Sequence, residues 1–258
     1  MTITVGSIQN YAPGQTWFDL SRYQNLAVQE RVSINLSSSN LWLIDSSHLF
    51  LNNTYAPRIA FLNEGAGYQS PVKLTATGAT NGGATVFQNL SGSNSILPSA
   101  NAPLKLGDWV QISTIQAGTQ LNLSVIPNGV SQPKNTPLST DPSLNPVSVY
   151  NPNSPVFWTA YADPSATRPL IILGYEDIWG RSSDNDFNDG ILALDVGPDN
   201  FRAILTQANL GQDASVNLRE AQPVSVPFEL NSALGLAIAT LIVGKKIVSK
   251  QTRSKQVD

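Results

Sequence analysis

The densest group of chemically active side chains lies between Glu176 and Asp189, in the segment EDIWGRSSDNDFND. Within it, Asp184, Asp186 and Asn188 occupy every second position. On a tight turn, short oxygen-bearing side chains at this spacing converge on one point. Ca²⁺ is a hard cation that binds about six to eight oxygens, and carboxylates suit it well. The spacing therefore predicts a calcium site.

Further carboxylates flank this turn on both sides. Glu176 and Asp177 precede it, and a turn at Trp179 and Gly180 would fold them back towards the other acids. So many carboxylates in one turn repel each other unless a cation is present. The predicted calcium ligands are Glu176, Asp177, Asp184, Asp186, Asn188 and Asp189.

The acidic segment has two other conceivable structures, a solvated turn and an EF-hand. The side chains of a solvated acidic turn would instead bond their own backbone. An EF-hand is excluded, because that loop has Gly at its sixth position and Glu at its twelfth. This sequence has Asp189 and Asp195 at those positions, and no helical pattern flanks them.

The elements that must position these acids are short strands. Apolar and polar residues alternate in brief segments bounded by turn residues, and Asn81-Gly82 between two such segments predicts a β-hairpin. The segments are 32–36, 41–44, 49–51, 58–62, 109–112, 121–125, 156–161, 170–174 and 191–196. Residues 205–226 are interpreted as polar loop with one further strand. The pattern predicts an all-β fold, an antiparallel β-sandwich of jelly-roll-like type, with a short apolar helix at the C-terminus.

The predicted domain organisation has two parts. Residues 1–228 form one β-sandwich domain whose Pro-, Ser- and Asn-rich segment at about 131–156 is a long loop, although two domains joined by this segment remain an alternative. Residues 229–258 form an apolar helix and a basic tail. The uncharged run 230–244 is too short to cross a bilayer as a helix, whereas 228–248 just reaches the required length if Lys245 and Lys246 snorkel. This part is a candidate membrane anchor; the alternative is a core helix or an assembly helix.

Composition excludes several classes of function. A net charge of −3 with a pI near 5.1 gives no basic surface for nucleic acid. The absence of Cys excludes disulfides, thiolate metal sites and a Cys nucleophile, and the single His48 excludes His-rich zinc sites. A glycosidase needs two carboxylates across a cleft, for which Glu64 with Glu176 or with Asp177 could be proposed. We interpret the chain as a non-enzyme.

The acidic segment resembles the signature of the bacterial domain-of-unknown-function family 4114. That signature has Glu-Asp, a Gly-rich turn, Gly-Asp-x-Asp-[Phe/Tyr]-Asn-Asp and then a strand, and the chain departs from it at Ser183, where Gly usually precedes the first Asp. The matching residues are Glu176, Asp177, Asp184, Asp186, Phe187, Asn188 and Asp189. Phe61–Ser70 and Leu104–Ile112 resemble other family segments, so the resemblance covers about residues 58–197. It implies a β-rich, non-catalytic module of bacterial surface or secreted proteins whose acids bind Ca²⁺, with Glu64 close to the calcium loop.

These observations predict a calcium-stabilised surface or structural module with an adhesive role. The expected location is the cell surface or a membrane, and the expected partner is a protein or a polysaccharide, with membrane contact through residues 229–248. The apolar ending is similar to short C-terminal sorting or anchor tails. The first residues lack the basic start and apolar run of a signal peptide.

Two other functions remain open from the sequence. One is a structural subunit of a larger assembly, such as an envelope, capsid or tail component. The other is a carbohydrate-binding module, because five Trp and seven Tyr offer stacking surfaces for sugars. At least three of the Trp residues are predicted to pack in the core.

Overall fold

Two antiparallel sheets dominate the computed structural model of the chain. It describes residues 2–27, 29, 34, 41–99, 101–146, 156–164, 168–178, 183–184, 186–207 and 216–217. Within these residues the sheets have seven and five strands and are accompanied by one α-helix. The predicted all-β class, an antiparallel sandwich, is confirmed.

Every strand pair in both sheets is antiparallel. The seven-stranded sheet contains, in spatial order, β12 (Val216–Asn217), β1 (Trp42–Ile44), β9 (Trp158–Asp163), β10 (Leu170–Tyr175), β11 (Gly190–Asp195), β3 (Arg58–Asn63) and β6 (Trp109–Gln111). The five-stranded sheet contains β2 (Leu49–Leu51), β7 (Thr119–Val125), β4 (Val72–Gly78) and β5 (Gly82–Phe87), with β8 (Leu138–Ser139) paired to β7. The predicted hairpin at Asn81-Gly82 joins β4 to β5.

The central strands β10 and β11 are buried along their whole length. Ile171 and Leu173 belong to the large core that contains apolar residues of both sheets. Leu170 and Ile172 belong to a second cluster, on the other face of β10, with Trp17 and other residues from the N-terminal segment 11–27. Because both faces are covered, these strands are continuously apolar instead of alternating.

The described part of the predicted loop at 131–156 contains regular structure. Besides β8 it contains a short 3-10 helix, Pro142–Leu144. Asp141 caps the start of this helix, because its side chain accepts a hydrogen bond from the Ser143 N–H. The seven-stranded sheet takes strands from both sides of this segment. The predicted strand at 32–36 lies outside the described residues except for Ile34.

The α-helix α1 (Pro198–Gln207) was not indicated by the sequence pattern, which gave polar loop from residue 205. Pro198 at the first position suits a helix start because its missing N–H needs no partner there. Phe201 and Ile204 are buried, and α1 packs against β2. The strand β12 agrees with the one further strand expected within 205–226.

The C-terminal prediction concerns residues that the structure does not describe. The apolar helix and basic tail, 229–258, lie outside the described residues, and the division of the chain at 228 stays a prediction. Among the described helices, none combines the length and the apolar character needed to cross a membrane. Of the tryptophans, Trp17 and Trp158 are buried, Trp42 and Trp109 are partly buried, and Trp179 is not described.

Candidate metal centre

Strands β10 and β11 bring two acidic segments to the same end of the sheet, the pair Glu176–Asp177 and the segment that ends at Asp189. Tyr175, the last residue of β10, lies opposite Gly190, the first residue of β11. Glu176 and Asp177 follow β10 directly, and Asp189 immediately precedes β11. The antiparallel register therefore places the two acidic segments at the same end of two adjacent strands.

Three carboxylates form the closest group. Glu176, Asp184 and Asp186 each offer one carboxylate oxygen, and these oxygens all lie within 4.8 Å of one another. Glu176 and Asp186 are buried, whereas Asp184 is exposed. This group can hold a metal ion.

The other predicted ligands surround this group in a hydrogen-bonded network. Asp189 Oδ2 accepts a bond of 2.6 Å from the backbone N–H of Asp177. The backbone N–H of Asn188 donates to Asp186 Oδ1 at 3.0 Å, and its side-chain amide donates to Asp186 Oδ2 at 2.6 Å. All six predicted residues thus lie at one end of the sheet. That Asp177, Asn188 and Asp189 are ligands stays a prediction.

Within the part of the chain that the structure describes, two carboxylate oxygens in this network have no hydrogen bond that offsets the cost of their burial. Glu176 Oε2 and Asp177 Oδ1 are buried and have no hydrogen-bond partner among the described residues. A buried acceptor without a partner is costly, and a buried charge is more so. Native structures keep few such atoms, so each one needs an explanation.

The electrostatic environment agrees with this geometry. Burial, together with the charges of neighbouring carboxylates, raises the pKa of Glu176 to about 8 and the pKa of Asp189 to about 10. Burial also raises the pKa of Asp177, to about 6, against the opposing hydrogen bond from Ser70. These side chains resist ionisation together unless a positive charge joins them.

The residues present fit a hard divalent cation. The group is made only of oxygen donors, which is the ligand type of Ca²⁺ and Mg²⁺ rather than of softer metals. Phe187, between two of the predicted ligands, has a φ of 57°, an uncommon backbone conformation for a bulky residue. Strained positions of this kind cluster at ligand-binding sites.

The segment that follows β3 supports the acidic network from the side. The Gly65 N–H donates to the Asn188 carbonyl at 3.0 Å, and a Cβ at Gly65 would collide with the Asn188 side chain. The Ser70 hydroxyl donates to Asp177 Oδ2 at 3.0 Å. The sequence pattern gave no role to either residue, although both belong to the segment Phe61–Ser70 that the family resemblance had drawn attention to.

Glu64 lies near the acidic network, as the resemblance implied. Its carboxylate accepts a bond of 2.8 Å from the Ser95 hydroxyl. Burial raises the pKa of Glu64 to about 7, and the negative charge of Asp177 contributes in the same direction. Glu64 is not part of the close group formed by Glu176, Asp184 and Asp186.

Comparison with known proteins gives a match between one family model and part of the chain. The family model described as Domain of unknown function (DUF4114) matches residues 115–197, which confirms the resemblance over this range. The match contains all six predicted ligands, whereas Phe61–Ser70 and Leu104–Ile112 lie outside it. Neither the curated proteins nor the solved structures contain a match to this chain.

Proposed function

We propose that this chain is a non-catalytic surface or structural module whose fold is stabilised by bound Ca²⁺. The observation that carries the proposal is the pair of buried carboxylate oxygens, Glu176 Oε2 and Asp177 Oδ1, that have no partner among the described residues. A cation at this end of the sheet would remove their cost. The proposed ligands are Glu176, Asp177, Asp184, Asp186, Asn188 and Asp189.

The composition of the group favours calcium over other metals. The absence of Cys and the position of His48 in a separate turn argue against zinc. Mg²⁺ requires near-octahedral geometry and keeps several waters, so one or two carboxylates usually suffice for it. Six oxygen-bearing side chains on two segments match the larger and less regular coordination shell of Ca²⁺.

The proposed ion acts as a connection between elements. It would join the end of β10 to the segment before β11, and Gly65 and Ser70 extend the connection to the segment after β3. An ion that binds only the folded chain stabilises it by RT ln(1 + [L]/Kd). Extracellular calcium modules bind with dissociation constants of about 0.1 to 1 mM, which suits a role at the cell surface, with a protein or a polysaccharide as partner.

A structural role for the acids is favoured over a catalytic one by their burial. Glu176, Asp177 and Asp189 are at most 9% exposed, so a substrate has little access to their carboxylates. Asp177 accepts a hydrogen bond from the Ser70 hydroxyl and Asp189 accepts one from the backbone N–H of Asp177, so these bonds lie within the fold itself.

Thermal unfolding of the full chain tests the proposal. We expect about 10 mM CaCl₂, a roughly ten- to hundredfold excess over a dissociation constant of about 0.1 to 1 mM, to raise the unfolding midpoint by about 3 to 10 °C relative to EDTA. The double variant Asp184→Ala/Asp186→Ala should lose this rise. The matched control Asp199→Ala removes an exposed acid of α1 and should keep it.

Equal midpoints of the natural chain in CaCl₂ and in EDTA would refute the proposal. The acids would then form a solvated turn, and a subunit of a larger assembly would become the leading interpretation. A rise of the same size in MgCl₂ would keep the metal site but remove its assignment to calcium.

A further inference from the structure

A small cavity opens beside the acidic network. Its volume is about 280 Å³, and it is lined from two sides, by the segment 64–69 after β3 and by residues between 91 and 99 after β5. Pockets for drug-sized ligands measure about 300 to 1,000 Å³. This cavity therefore suits one small ring rather than an extended molecule.

Polar groups with spare hydrogen-bonding capacity line one part of the cavity. The Ser91 side chain is 2% exposed, and its hydroxyl has no partner within the described part of the chain. Glu64 is also 2% exposed; its carboxylate accepts bonds from Ser95 and from the Gly92 N–H, which leaves further acceptor sites. Gln69 adds another polar side chain to the lining. A ligand with several hydroxyl groups would satisfy these atoms.

Apolar groups line the remainder. Tyr68 is 40% exposed, one of only four large hydrophobic side chains exposed among the described residues. Leu97 and Pro98 line the cavity with it. An exposed aromatic ring offers a flat face on which the C–H groups of a ligand can pack, and its hydroxyl can bond at the edge.

We propose that this cavity binds one pyranose ring of a polysaccharide. Tyr68 packs against the C–H face of the sugar, while Glu64 and Ser91 bond to its hydroxyl groups. A pyranose combines an apolar face with a rim of hydroxyls, which is the chemistry that the lining offers. This inference deepens the proposed function by naming the partner class, and it rests on that function only for its dependence on calcium.

The link to calcium runs through both ends of the segment that carries Tyr68. At one end the Gly65 N–H bonds to the carbonyl of Asn188, and at the other the Ser70 hydroxyl bonds to Asp177. Ser70 Oγ also accepts a bond of 3.0 Å from the N–H of Asn128. Because Asn188 and Asp177 are proposed calcium ligands, a bound ion would hold this segment in place.

Saturation-transfer NMR on the full chain tests the sugar site. The probes are the methyl pyranosides of glucose, galactose and mannose at millimolar concentration with CaCl₂, and glycerol serves as a polyol without a ring face. We expect transfer to the ring protons of at least one pyranoside and none to glycerol. Tyr68→Ala should weaken that binding about tenfold, as removal of an aromatic contact does.

Two further variants keep the test specific. Ser91→Ala should weaken binding several-fold while leaving the unfolding midpoint near that of the natural chain. Leu144→Ala, which removes a large side chain that is 62% exposed in the 3-10 helix away from the cavity, should leave binding unchanged. Replacement of CaCl₂ by EDTA should weaken binding as well.

The outcomes separate the two proposals. A calcium-dependent rise in midpoint without transfer to any pyranoside would overturn the sugar site and leave the calcium proposal intact. Transfer that survives both Tyr68→Ala and Ser91→Ala unchanged would likewise overturn the site. If both variants weaken pyranoside binding but calcium does not change the unfolding midpoint of the natural chain, the sugar site is supported and the calcium proposal is refuted.

Discussion

The two ends of strands β9, β10 and β11 bury acids in contrasting ways. At one end lie Asp163, the last residue of β9, and Asp195, the last residue of β11, each 1% exposed. At the other end Glu176 and Asp177 are 2% and 1% exposed. The same sheet therefore carries nearly inaccessible carboxylates at both of its ends.

The charges around these carboxylates differ. Asp163 accepts bonds from the guanidinium of Arg22 at 2.6 and 2.9 Å and one from the Tyr23 hydroxyl at 3.0 Å. Asp195 lies 3.6 Å from Arg58 and accepts a bond from the Tyr55 hydroxyl. No ion pair recorded within the described residues involves Glu176, Asp177 or Asp189; the neighbouring charges that act on their pKa values are carboxylates.

The contrast shows what burial of an acid requires. An ionised carboxylate that leaves water needs an opposite charge or several hydrogen bonds. Arginine and tyrosine side chains supply these at the first end. At the second end the described residues do not supply a positive charge, which is the physical basis for proposing a bound cation there.

The largest expected effect comes from breaking the arginine-compensated end. Asp195→Ala leaves Arg58, the Tyr55 hydroxyl and the Gly197 N–H without their shared acceptor. Removal of one partner of a buried pair costs about 3 to 5 kcal/mol. We expect a loss near the lower figure, because Arg58 is 25% exposed, and we expect it to be equal in CaCl₂ and in EDTA.

Chemical denaturation in both buffers measures this loss. Asp199→Ala is the control, because its ion pair with Arg202 is exposed and contributes less than about 1 kcal/mol. A loss at Asp195 that changed strongly with calcium would show that the two ends do not differ in the way described.

The next effect is the pH dependence of the stabilisation by calcium. In the calcium-free chain, burial and neighbouring carboxylates raise the pKa of Glu176 from 4.5 to about 8. The folded chain then holds a proton that the unfolded chain releases, so stability is full below about pH 4.5 and falls as the pH rises towards 8. The fall is about 1.4 kcal/mol per pH unit for each such carboxyl.

Bound calcium should remove this dependence, because the ligands of the ion are ionised when it is bound. Between about pH 6 and about pH 7.5 the difference in stability between CaCl₂ and EDTA should therefore widen by about 2 kcal/mol from Glu176 alone. Unfolding measured at both pH values in both buffers gives this difference. A difference that stays constant or narrows would contradict the assignment of these acids to the ion.

The smallest expected effect comes from replacing one acid at each end of the strands with the corresponding neutral amide. Glu176→Gln replaces a carboxyl that is mostly protonated near neutral pH in the calcium-free folded chain with a neutral amide, so folding no longer requires the uptake of a proton. In EDTA near neutral pH we expect the variant to be more stable than the natural chain by at least about 1 kcal/mol. In CaCl₂ it should be less stable than the natural chain, and the corresponding variant Asp163→Asn should be destabilised in both buffers.

The sequence predicted much of the sheets because their signals are local. The β4–β5 hairpin follows from Asn81-Gly82, and the positions of β7, β10 and β11 follow from short apolar segments. The grouping of Glu176, Asp184 and Asp186 was predictable because these residues are close in the chain. The helix α1 was not predicted because its 10 residues are too few to show a clear helical period. Its buried residues Phe201 and Ile204 and its packing against β2 are tertiary features that the local sequence does not reveal.

Contacts over long distances in the chain were not predictable. Arg22 and Asp163 are 141 residues apart, and Ser70 and Asp177 are 107 apart. The residues next to Arg22 and Ser70 in the sequence do not indicate which carboxylate each of them contacts. Only the packed sheets decide which carboxylates meet an arginine and which meet other carboxylates.

Calorimetric titration of the full chain with CaCl₂, near neutral pH and in buffers of different ionisation enthalpy, tests the central claim most directly. It counts bound ions and the protons released on binding. We expect one calcium ion per chain and a net release of protons, because burial and carboxylate repulsion raise the pKa values of Glu176 and Asp189. Absence of binding, or binding without proton release, would contradict the claim that a cation compensates the buried acids at this end of the sheet.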